Sequence, residues 1–171
     1  LAKSPFGKIP AMTDDDYVLA DSSAIVHYLE AKHPAPALIP AEPRLRGRTI
    51  WFDEFADTIL AAAGAVIFFN RVVAPLVGMP QDVAAADKAE AETLPPILAY
   101  LERTIPDGGH LVGEALTLAD IAVASPFANL RYAGCAVDAA QFPRTAAWAE
   151  TMLARPSFAS VIAKEVAFLG R

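Results

Sequence analysis

The chain has 171 residues, 54 % of them hydrophobic and 20 % charged, with a net charge of −6. That balance is too apolar for a disordered chain and is sufficient for a sizeable core. Acids and bases are interspersed and form no basic stripe, which argues against a nucleic-acid partner. Much of the apolar excess is alanine, so a mainly helical protein is expected. The single cysteine, Cys135, excludes an intrachain disulfide, fits a reducing compartment, and reads as a buried, inert thiol among small apolar neighbours. No secretory signal is visible, and the uncharged run from Thr58 to Asn70 is shorter than the ~20 apolar residues that span a bilayer. A buried helix in a soluble, cytoplasmic protein is the expectation, with no membrane partner.

Residues 1–7 read as a loop entered from an earlier element, so the sequence is expected to start inside a domain. Residues 9–13 and 17–20 read as short strands, and Asp14-Asp15-Asp16 between them supplies the turn of a β-hairpin. Ser22 stands where a helix N-cap belongs. The helix then runs from about Ser23 to Lys32, with Ile25, Val26, Tyr28 and Leu29 apolar, and Pro34 stops it. Residues 34–43 are rich in Pro and Ala and lack periodicity, as a linker does.

Everything beyond reads as helix. Phe52, Phe55, Ala56, Ile59, Leu60 and Ala63 share one face, and Asp53, Glu54, Asp57 and Thr58 the other. Past Gly64 this pattern fails, because Phe68 and Phe69 fall on the formerly polar side, where a partner subunit or a pocket would have to cover them. Further helices are expected over about 82–104, 118–132, 143–154 and 157–167. Pro95-Pro96 and Pro126 should kink or interrupt the helices that hold them. The fold class is α+β: a β-hairpin and helix (1–34), a linker (35–42) and an all-α domain (43–171).

Two places can carry chemistry. At Lys8-Ile9-Pro10 a proline opens a strand after a loop. A cis bond there would turn the main chain of Ile9 outward to pair with an extended peptide, although the residues alone favour an ordinary trans proline. At Asp21-Ser22 a helix begins, where free N–H groups and the Ser22 hydroxyl suit a carboxylate and Asp21 suits an ammonium group, although a plain cap has the same residues. A strand edge that grips a peptide beside a helix end that grips an amino-acid head describes a γ-glutamyl peptide site.

The run Ser4-Pro5-Phe6-Gly7-Lys8-Ile9-Pro10-Ala11-Met12, followed by Val18-Leu19-Ala20-Asp21-Ser22-Ser23-Ala24-Ile25-Val26-His27-Tyr28-Leu29, resembles the glutathione transferase family. Gly113-Glu114-Ala115-Leu116-Thr117-Leu118-Ala119-Asp120-Ile121 is similar to that family's buried capping box, and Phe142-Pro143, Trp148 and Arg155-Pro156-Ser157-Phe158 to its last helices. The resemblance implies the C-terminal part of a thioredoxin-like domain followed by an all-α bundle. It also implies glutathione as co-substrate, its thiol being conjugated to a small hydrophobic electrophile, and a homodimer. By position, Ile9 would pair with the cysteinyl unit beside cis-Pro10, Asp21 and Ser22 would hold the γ-glutamyl head, and Lys8 would meet the glycyl carboxylate. Asp57, Phe68 and Phe69 would contribute to the electrophile cleft or the interface, and Thr117 and Asp120 would be fold residues. The family's sulfur-activating Tyr, Ser or Cys lies in a segment that this sequence does not include, and no residue here is assigned that role. A non-catalytic binding or scaffold protein of the same fold, or a glutathione-dependent isomerase, dehalogenase or disulfide reductase, is the alternative.

Other charged residues read as solvated. Asp53 and Asp57 stand at i, i+4 without a third ligand, and Arg44, Arg46 and Arg48 carry no anion-binding pattern. His27, His33 and His110 lack ligand-like spacing, so no metal is expected.

Overall fold

The computed structural model describes residues 3–7, 9–106 and 109–170, so Lys8 lies outside the described residues. Strands β1 (Ala11–Asp14) and β2 (Tyr17–Ala20) form an antiparallel hairpin with Ala11 opposite Ala20 and Asp14 opposite Tyr17. Asp15 makes the turn at φ 52°, a left-handed conformation that Asp tolerates. The first strand begins later than residue 9 because Pro10 has no N–H for the ladder. The carbonyl of Pro10 nevertheless accepts the N–H of Asp21 at 3.2 Å, so the two chain ends stay together.

Helix α1 (Ser22–Lys32) follows at once. Its cap is Asp21 rather than Ser22: at φ 92° the chain turns so that the Asp21 carboxylate accepts the N–H of Ala24 at 3.0 Å. The hydroxyl of Tyr28 donates to Asp14 at 2.6 Å, and Lys32 pairs with the same carboxylate, so the helix is tied to the tip of the hairpin. Lys32 first, then Tyr28, hold the Asp14 carboxyl below its ordinary value.

The expected linker is irregular but not loose. The Glu30 carboxylate accepts the N–H groups of Leu38 and Ile39, both at 2.9 Å, and Ile39 is buried. The carbonyl of Leu38 accepts the N–H of Leu118 at 2.9 Å, which fastens the linker to the helical part.

Helix α2 (Pro43–Leu76) is 34 residues long and contains two π turns, Ala56–Leu60 and Phe69–Val73. A π turn holds more residues than an α turn and so rotates the stripe that faces the core. The rotation accounts for the broken pattern. Ile59, expected in the core, is 40 % exposed, and Phe68, expected outside, packs against the core. Phe69 does remain on the outside, at 38 % exposure. Asp53, expected on the solvated face, is buried, and its carboxylate accepts the Ser23 hydroxyl of α1. By length and composition α2 would also pass for a membrane-crossing segment. Its residues Phe52, Leu60 and Ile67 are instead sealed in the protein core.

Helix α3 (83–104) runs through rather than breaking at Pro95-Pro96. A π turn at Ala89–Thr93 leads directly into the segment Leu94–Thr104 that holds both prolines, so the run continues past them with a local change of winding just before. Helices α4 (Leu118–Tyr132), α5 (Pro143–Leu153) and α6 (Pro156–Leu169) complete the bundle. Pro126 lies inside α4 without ending it.

The core forms chiefly where α2 lies against α4, with Phe52, Leu60, Ile67, Leu101, Val123 and Leu130 almost wholly buried. At the start of α4 the capping box is present. Asp120, with no exposed surface, accepts the N–H of Thr117 at 2.9 Å and that of Leu111 at 2.7 Å. Cys135 is buried, and desolvation, followed by a hydrogen bond with Glu90, pushes its thiol up to about 12.

Candidate binding site

A cleft of about 540 Å³ opens between the loop before β1, the end of β2, the start of α1 and one turn of α2. Ser4, Pro5, Phe6 and Ile9 line one side, and Ala20, Asp21, Ser22 and Asp57 the other. The Ile9–Pro10 bond is cis, against the trans proline that the residues alone favour. Ile9 is 91 % exposed, and neither its N–H nor its C=O is hydrogen-bonded among the described residues. That leaves one donor and one acceptor of bare main chain facing the cleft, which an extended peptide can satisfy.

At the other wall the first turn of α1 offers its own donors. The Asp21 carboxylate takes the N–H of Ala24, but among the described residues no acceptor takes the N–H of Ser22 or Ser23. These groups and the helix dipole make a cradle for a carboxylate. Asp21 itself sits at a positive φ, rare for a residue with a side chain and costing about 1–3 kcal/mol where it is held.

Two carboxylates of α2 meet this turn. The Ser22 hydroxyl donates to Asp57 at 3.1 Å and the Ser23 hydroxyl to Asp53 at 2.8 Å. Asp57 is exposed to the cleft, whereas Asp53 is only 5 % exposed. Burial pushes the Asp53 carboxyl up, the Ser23 hydroxyl opposes that, and the neighbouring Asp57 adds to it. The wall formed by α1 and α2 thus sets carboxylates beside N–H donors, which suits a zwitterion. The contact of Asp53 with Ser23 is not foreseen from the sequence. The signal for it was the i, i+4 spacing of Asp53 and Asp57, set against two adjacent serines.

The other expected site residues lie elsewhere. Phe68 and Phe69 stand about three turns further along α2 and do not line the cleft. Thr117 and Asp120 serve the start of α4. Among the described residues no group of three or more His, Cys, Asp or Glu converges as a metal site would.

Comparison with known proteins gives the same frame. The model of the glutathione S-transferase N-terminal domain matches residues 1–37, and that of the C-terminal domain matches residues 68–165. The chain belongs to the glutathione S-transferase family. As a member it is a transferase with glutathione as its co-substrate, built from part of a thioredoxin-like domain and an all-α domain. It is 32 % identical to glutathione S-transferase 3 of Zea mays over 95 % of this chain and 74 % of that protein. With glutathione S-transferase F10 of Arabidopsis thaliana the identity is 34 %, over 71 % of this chain and 57 % of that one. Among solved structures, a glutathione S-transferase-I bound with lactoylglutathione superposes with a TM-score of 0.83 at 27 % identity, covering 95 % of this chain and 77 % of the other. The glutathione transferase F7 of Populus trichocarpa gives 0.80 at 30 % identity, covering 95 % and 77 %.

Proposed function

We propose that this transferase holds glutathione in the cleft between Ile9 and Asp57 and conjugates its sulfur to a small hydrophobic electrophile. The cysteinyl unit pairs with the bare main chain of Ile9. The γ-glutamyl carboxylate takes the Ser22 hydroxyl and the free N–H groups of α1, and its ammonium group lies between Asp21 and Asp57. The observation that carries this reading is one cleft lined both by Ile9, whose main chain has no partner among the described residues, and by the helix start at Ser22. The lactoylglutathione named in the structure of a relative supports a glutathione peptide as the occupant.

In this reading residues 1–34 contribute to the glutathione domain, 35–42 link, and 43–171 form the helical domain beside which the electrophile lies. The protein acts in the cytoplasm as a homodimer. Exposed apolar surface supports the dimer: Phe6 is 90 % exposed, and Trp51, Phe55, Ile59, Pro96, Ile97 and Tyr100 wall an apolar groove between α2 and α3.

The test is calorimetry with two ligands, glutathione and the dipeptide Cys-Gly, which lacks the γ-glutamyl head, together with a conjugation assay on a chromogenic electrophile. Glutathione should bind and the dipeptide should not. Equal binding of the two would remove the proposed head site.

A further inference from the structure

From the paired contacts Ser23–Asp53 and Ser22–Asp57 we infer that Asp53 is a positioning residue for glutathione, acting through Ser23 on the first turn of α1. The inference rests on the glutathione reading above. Asp53 lies outside the cleft lining and is almost fully buried, so it reaches no ligand itself. Its one hydrogen-bonding partner among the described residues is the Ser23 hydroxyl, on the residue next to Ser22. A buried carboxylate that accepts one hydroxyl is a costly arrangement to keep, and burial indeed pushes its proton affinity up. What the contact accomplishes is geometric.

Ser22 and Ser23 follow each other in α1 and point their hydroxyls at carboxylates one turn apart on α2. The exposed pair, Ser22 with Asp57, must open when a carboxylate and an ammonium group enter between them. The buried pair need not open. It keeps the first turn of α1 tied to α2 while the exposed pair exchanges partners, so Ser22, which lines the cleft, keeps its place. Binding groups held in advance lose less freedom when a ligand arrives. The Asp53 carboxylate does this for a turn that is also held by the Asp21 cap and by the Asp21 N–H on the Pro10 carbonyl.

The experiment uses Asp53→Ala, Asp53→Asn, Ser23→Ala and the double variant D53A/S23A, with Ser22→Ala as the reference for the site. Glutathione affinity is read by calorimetry and folding by thermal melting. Asp53→Ala and Ser23→Ala should each weaken glutathione binding several-fold, through the freedom that the unseated turn then loses when the ligand arrives. The double variant should be no worse than either single one, because both remove the same contact. Asp53→Asn, which keeps an acceptor, should bind nearly as the wild type does.

If Asp53→Ala lowers the melting temperature and leaves the affinity unchanged, Asp53 only supports the fold and the inference is wrong. Additive losses in the double variant would also overturn it. Should D53A fail to fold, Ser23→Ala decides alone by the same affinity reading. If Ser22→Ala weakens binding while Ser23→Ala does not, only the positioning role falls. If Ser22→Ala changes nothing either, the glutathione site itself is misplaced and both readings fall.

Discussion

The hydroxyl of Ser22 donates to the carboxylate of Asp57 at 3.1 Å, across 35 residues of sequence. This bond joins the first turn of α1 to the π turn of α2, the two elements that close the cleft on its acidic side. Both groups are the ones a bound amino-acid head needs. Within the protein these two groups satisfy each other.

Removing either partner should separate two effects. Ser22→Ala deletes a donor to the ligand carboxylate and should weaken glutathione binding by about 1.5–3 kcal/mol. Asp57→Asn removes the charge facing the ammonium group but keeps an acceptor for the Ser22 hydroxyl and leaves that hydroxyl in place for the ligand carboxylate, so its loss should be the smaller. Calorimetry at matched ionic strength checks the order, and a larger loss for Asp57→Asn would show that the ammonium contact dominates.

Glu102 makes a pH-dependent contribution to stability. Its carboxylate accepts the N–H groups of Arg144 at 3.0 Å and Thr145 at 2.9 Å and the Thr145 hydroxyl at 2.8 Å, so it caps α5 from α3. Burial pushes its carboxyl up, but the three donors together hold it below the ordinary value. A depressed folded value means that the stabilisation is present above the unfolded value near 4.5 and is lost as pH falls through the folded one. Glu102→Gln should cost about 1 kcal/mol at neutral pH, like loss of a helix cap. Urea melts should show the gap between variant and wild type closing at acid pH.

Asp120 should matter more to the fold. Its carboxylate, without exposed surface, is the acceptor for the N–H groups of both Leu111 and Thr117. Asp120→Ala leaves two buried donors unpaired, each worth roughly 1–3 kcal/mol. A fall in denaturant midpoint several times that of Glu102→Gln is expected. Equal falls would mean that water replaces the lost acceptor.

Cys135 should resist modification. With its thiol pushed up to about 12 by desolvation and by Glu90, almost no thiolate exists at pH 8, and the sulfur is 4 % exposed as a residue. Reaction with a thiol-specific disulfide reagent should be slow in the native protein and complete in denaturant. Fast native reaction would place the residue at the surface.

The sequence by itself determined the parts whose causes are local. The hairpin around Asp15, the helix from Ser22 to Lys32 and the capping box from Thr117 to Asp120 each follow from turn, cap and periodicity rules acting over a few residues. The sequence also marked Ile9-Pro10 and Asp21-Ser22 as a strand start and a helix start, and the fold brings both to one cleft. Tertiary structure decided what depends on register and on neighbours. The cap passed to Asp21 because its positive φ aimed the carboxylate at Ala24. The π turns of α2 rotated its apolar stripe, so Ile59 came out and Phe68 went in. Asp53 and Asp57 look alike in sequence, but in the folded chain the first is buried against Ser23 and the second faces the cleft beside Ser22. Burial of one carboxylate and exposure of the other is a property of the packed pair of helices, and no window of sequence contains it.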